Sequence, residues 1–107
     1  MPTYILLSTL AGDGGKTMHA HPNRLREVDE EVKVMGCKVL AQYALLGQYD
    51  FITILEAPDN ETVAHLSVDL ASRGTVRIQT FPAIPLETFI TKLKSHEQLG
   101  RGQVETD

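Results

Sequence analysis

Val39-Leu-Ala-Gln-Tyr-Ala-Leu-Leu-Gly-Gln-Tyr-Asp-Phe-Ile-Thr-Ile-Leu-Glu56 consists of two apolar runs joined at Gly47-Gln48-Tyr49-Asp50. Branched and aromatic residues of this kind suit extended strands. A four-residue connection is of hairpin length, and Gly47 can take the positive φ that such a turn asks for. The stretch therefore predicts a hairpin between strands over 37–46 and 50–57, with the Tyr49 phenol and the Asp50 carboxylate at the mouth of the sheet.

Upstream, Gly36 supplies a left-handed cap to a helix. That helix carries Leu25, Val28, Val32 and Met35 at three- and four-residue steps, with Arg26, Glu27, Glu30 and Glu31 between them. Such spacing makes one apolar stripe, and Pro22 suits the first helical position. Residues 16–21 form a short helical piece before it, and Asp13 is placed to cap that piece. Thr3-Tyr-Ile-Leu-Leu-Ser-Thr-Leu10 reads as the first strand. Downstream, Pro58-Asp-Asn-Glu61 stops a strand and starts a helix, with Val63, Leu66 and Leu70 on one face and an end at Arg73-Gly74. Residues 75–81 form the fourth strand, and Pro85-Leu-Glu-Thr-Phe-Ile90 opens a short third helix. From His96 the chain is polar and unpatterned, which gives a domain over 1–95 and a tail over 96–107 expected to fray.

The order β-α-β-β-α-β predicts an α+β, ferredoxin-like domain with a short C-terminal helix. Its four-stranded antiparallel sheet has both main helices on one face. The other face of such a sheet is normally polar, yet the two hairpin runs offer apolar groups to both sides. A second copy of the chain is the simplest cover for so large an apolar patch. The alternative is the third helix folding back over it. A charged residue at Ile54 or Phe51 tests the first of these.

The chain has 107 residues and a net charge of −4. One domain fits that length, and the charge argues against a nucleic-acid binder, which needs a concentrated positive face. No segment approaches the roughly 20 apolar residues of a membrane span, and the N-terminus lacks the form of a signal peptide. Cys37 is the single cysteine, so no internal disulfide forms and a cytoplasmic location is expected.

Tyr4-Ile-Leu-Leu, Gly15-Lys-Thr17, Pro22-x-Arg24, Gly36-x-Lys38, Gly47-x-Tyr49-Asp50, Glu56-Ala-Pro-Asp59 and Gly74-x-Val76-Arg77 together resemble the GYD-domain family over about residues 2–90. Gln48 separates Gly47 from Tyr49, a spacing taken as normal for that motif. The resemblance implies a ferredoxin-like fold related to the dimeric α/β-barrel proteins, and it implies little about chemistry.

Leu10-Ala-Gly-Asp-Gly-Gly-Lys-Thr17 approaches a nucleotide-binding phosphate loop, but that motif needs glycine where Leu10 stands and a parallel sheet. A weaker form stays open, in which the amides of Gly14 and Gly15 and the Lys16 ammonium hold an anion. His19 and His21 point to nearly opposite sides of a continuous helix and make a poor metal pair. A zinc site wants three or four ligands, so no metal is assigned. Cys37 reads as a buried, inert thiol. The candidate ligand-binding residues are Lys16, Tyr49, Asp50 and Arg77 around one cleft between sheet and helices, with Tyr43 either lining it or filling a dimer core. The bland reading of Tyr49 and Asp50 is a hairpin turn.

Two functions stand. One is a small-molecule binding or regulatory module for a polar, anionic ligand, working as a homo-oligomer. The other is a small cofactor-free enzyme of the dimeric α/β-barrel type, an oxygenase or isomerase using Tyr49, Asp50 and Lys16 as acid–base groups. No catalytic constellation is complete, which favours the module. No cofactor is specified.

Overall fold

The computed structural model describes residues 1–95; the tail expected over 96–107 lies outside the described residues. The element order is β1 (Thr3–Leu10), α1 (Gly14–Ala20), α2 (Arg24–Val34), β2 (Lys38–Ala44), β3 (Phe51–Glu56), α3 (Asn60–Ala71), β4 (Val76–Ala83) and α4 (Leu86–Lys94). The strands are antiparallel throughout and lie in the order β2-β3-β1-β4. With α2 and α3 packed on one face, this is the ferredoxin-like arrangement.

Each helix ends or begins where its residues dictate. Gly36, at φ 79°, closes α2: its N–H reaches the Lys33 carbonyl, and the next amide, of Cys37, reaches back to Val32. That pair of bonds satisfies two carbonyls that the helix end leaves open. At the start of α3 the Asp59 carboxylate accepts from the Thr62 N–H at 2.8 Å and from the Thr62 hydroxyl at 2.6 Å. The expected cap at Asp13 is not made, since no side-chain bond closes the start of α1. Pro22 also falls short of its expected place, because α2 begins two residues later, at Arg24.

The Asp59 bonds favour the carboxylate and hold its pKa below the ordinary 3.8. A folded-state pKa below the unfolded one means stability that is present above pH 3.8 and lost as pH falls through the lower, folded value. Asp59→Ala should therefore melt below the wild type at neutral pH. The gap should close in acid, and thermal unfolding at both pH values checks it.

The core lies between the helices and one face of the sheet. Tyr4, Leu6 and Leu55 from the strands meet Val32 of α2 and Val63 and Leu66 of α3, each no more than 3 % exposed. Full burial of each large aliphatic side chain contributes about 1.5–3 kcal/mol. Between α3 and β4 the Ser67 and Thr80 hydroxyls bond at 2.6 Å.

The register assigns every strand residue to a face. Tyr4 pairs with Leu55 and Leu6 with Thr53, so Ser8, opposite Phe51, shares the helix-covered side. Phe51 is thus not an outer-face residue, and of the two expected interface probes only Ile54 stands on that face. Ile5 and Leu7 of β1, Ile52 and Ile54 of β3, and Phe81 of β4 share the outer side. β2 carries a bulge at Leu40, between Val39 and Ala41, that moves Tyr43, opposite Ile52, to this outer face too. The fold-back of the third helix is not seen. None of the residues of α4 is buried, and Leu86, Phe89 and Leu93 remain exposed.

Candidate functional site

The hairpin connection holds two residues at fixed posts. Gly47 adopts φ 109° and lets the chain turn. The Asp50 N–H donates to the Ser8 carbonyl at 2.8 Å, and the Asp50 carboxylate accepts from the Leu10 N–H at 2.8 Å. Paired β1–β3 residues end at Ser8 and Phe51, so the carboxylate continues the ladder by one more bond and satisfies an amide that the strand would otherwise leave open. Asp50→Ala should cost about 1–3 kcal/mol, and Asp50→Asn, which keeps a side-chain acceptor, should recover most of it. Urea unfolding of the two variants checks this.

Tyr49 runs the other way. Its hydroxyl donates to Oε1 of Gln79 at 2.8 Å, and Gln79 pairs with Leu7 on the outer side of β4. Tyr49 therefore spans β1 from the hairpin to β4. Arg77, opposite Thr9, stands on the same outer side and is exposed. Lys16 is exposed on α1, with no hydrogen bond or ion pair to Tyr49 or Asp50 among the described residues. Tyr43 borders the cleft between sheet and helices while its register places it on the outer side. The five expected site residues thus do not surround one cleft. Tyr43, Tyr49 and Arg77 belong to the outer sheet face, Asp50 is bonded into the strand end, and Lys16 stands apart.

The glycines before Lys16 have a packing role. Gly14 is buried, and a Cβ there would lie 2.1 Å from the Thr75 carbonyl oxygen. Its N–H already donates to the Ala11 carbonyl at 2.8 Å, so it is not available to an anion. His21 closes α1 with a backbone bond to Thr17. Among the described residues no three His, Cys, Asp or Glu side chains are grouped to hold a metal ion. Cys37 is 4 % exposed, and burial, reinforced by the Asp59 charge, raises its thiol pKa. A thiol so placed is a poor nucleophile.

Tyr4 is more than the strand residue that its sequence position suggests. Its ring is in the core and its hydroxyl donates to Oδ1 of Asn60 at the start of α3. Burial, with help from Asp59 and Glu61, raises its pKa. Its even-numbered place in β1, shared with Leu6, is the signal that could have found it. Gln79 carries no such signal, because its role depends on a strand distant in sequence.

Two surfaces remain open. Beside the outer sheet face, the β2 edge and the hairpin tip carry Leu40, Tyr43 and Leu46, which are 48 %, 61 % and 103 % exposed. On the other side, an open cavity of about 270 Å³ lies between the sheet and parts of α1, α2 and α3. No described helix is long and apolar enough to cross a membrane.

A family model described as the GYD domain matches residues 4–93. A protein of Thermus thermophilus, named glutamine synthetase and cystathionine beta-lyase binding protein, is 48 % identical over 95 residues, covering 88 % of this chain and all of that one. The crystal structure of FFRP-DM1 superposes with a TM-score of 0.52 at 22 % identity, covering 78 % of this chain and all of that one. This last likeness concerns the fold alone.

Proposed function

The chain belongs to the GYD domain family, and we propose that it is a non-enzymatic binding protein that works as a homodimer and associates with enzymes. The observation that carries this reading is the outer sheet face. Ile5, Leu7, Ile52 and Ile54 form its centre, with Phe81 and Tyr43 at its sides, and none of the described helices packs over it. Apolar faces of this extent mark protein interaction sites. A two-fold dimer would pair the face with itself and leave the β2 edge, with Leu46 at the hairpin tip, free for a second protein. Tyr49 and Arg77 then act at the border of the dimer interface rather than as ligand groups.

The relative's name supports enzymes as partners and supplies the first two to test, glutamine synthetase and cystathionine beta-lyase. The engagement of Tyr49 by Gln79 and of Asp50 by Leu10 favours this reading over acid–base catalysis. Purified chain should bind one or both enzymes from its own host in isothermal titration calorimetry, and Leu46→Asp should weaken that binding without changing the dimer. No heat with either enzyme would remove the partner assignment. Binding unaffected by Leu46→Asp would move the contact away from the β2 edge.

A further inference from the structure

The cavity beneath the sheet is the wider opportunity. Its walls are Leu6 and Ile78 from the strands and Met18, Leu25 and Val28 from the helices, with Ser8 among the few polar groups. Leu25 belongs to the apolar stripe of α2 and yet is 38 % exposed, because it faces an open space rather than packed side chains. A mostly apolar hollow with a few convergent polar groups has the form of a small-molecule site.

A second hollow of about 400 Å³ shares Met18, Val28, Leu70 and Val76 with the first and leads outward past Arg24 and Arg73. Its described lining holds two guanidinium groups and no carboxylate, in a chain whose net charge is −4. Arg73 also pairs with Glu31 across the gap between the end of α3 and α2, which ties the helices together at the mouth. Arg24, at the first position of α2, borders the hollow directly. Guanidinium binds carboxylate through paired, charge-assisted bonds.

We propose that this cleft binds a small amphipathic acid, its apolar body between the sheet and α1–α2 and its carboxylate at Arg24. Most of the site lies on the opposite side of the sheet from the proposed dimer face, the two meeting only where Tyr43 and Ile52 border the cavity.

Octanoate and octanol, equal in chain length and different in charge, separate the two parts of this assignment. In methyl-resolved NMR titrations, octanoate should shift the methyls of Met18, Val28 and Ile78 and leave those of Ile5 and Ile54 in place. Arg24→Gln should weaken octanoate about tenfold and leave octanol unchanged, with circular dichroism confirming that the variant is folded. Shifts confined to the outer face, or none at millimolar octanoate, would overturn the site. Octanol binding as tightly as octanoate, or an Arg24→Gln variant that binds octanoate like the wild type, would overturn the acid.

Discussion

Gly14→Ala is expected to destabilise the domain by about 2–3 kcal/mol, which corresponds to a fall of roughly 10 °C or more in melting temperature for a chain of this size. The added Cβ would sit 2.1 Å from the Thr75 carbonyl oxygen and 3.3 Å from Cδ2 of Leu10. The first of these is backbone, and it is held, because that carbonyl accepts from the Ala11 N–H at 2.9 Å. Relief requires α1 to move away from the start of β4. Gly15 provides the control: a Cβ there meets nothing within 4 Å, and alanine in a helix gains about 0.5–1 kcal/mol over glycine. Two adjacent glycines should thus respond with opposite signs in thermal unfolding. A Gly14→Ala variant that melts with the wild type would show that the close approach is not kept in solution.

Ile54→Lys should convert the proposed dimer to a folded monomer. Ile54 lies in the centre of the outer face, opposite Ile5 on one side and Ala41 on the other. In the monomer its ammonium can reach water, so the fold survives. In a face-to-face dimer the same charge is enclosed without a partner, which costs several kcal/mol and weakens association by roughly 100-fold or more. Sedimentation velocity on wild type and variant reads the result. Val34→Lys, at a position 87 % exposed on α2, should leave the assembly unchanged. A wild type that sediments as a monomer, or an Ile54→Lys dimer, would place any interface elsewhere.

The elements are legible in the sequence because their signals are local. The three- and four-residue spacing of Val28 and Val32, the glycine caps at Gly36 and Gly74, and the turn at Gly47 each act within a few residues, and positive φ is found at all three glycines. The family is legible from spaced fragments. The site is not, because its arrangement depends on strand register, which pairs residues far apart. Tyr49 and Asp50 are neighbours, yet one bonds across the outer face to Gln79 and the other into the end of β1. Only charge type suggests a shared cleft for Arg77 and Lys16, and alternation along β4 puts Arg77 on the far side. Gly14 and Lys16 suggest an anion loop by composition, while the purpose of Gly14 is set by Thr75, sixty-one positions away. The apolar cleft is hidden for a related reason: a helical stripe looks the same whether it meets side chains or empty space.

The extra residue in β2 has a consequence for how this family could vary. A bulge sets two residues of one strand against one of its partner, so the extra residue is absorbed where it stands and the pairing beyond it is kept. Leu40 is that insertion, and it is the reason that Val39 faces the helices while Tyr43, an even number of steps later, faces away. A relative lacking one residue here would pair regularly from the position of Val39 to that of Ala44 and would keep its tyrosine opposite Ile52, on the outer face. A single-codon deletion at this point would therefore straighten the β2 edge and remove one exposed leucine while leaving the outer face as it is.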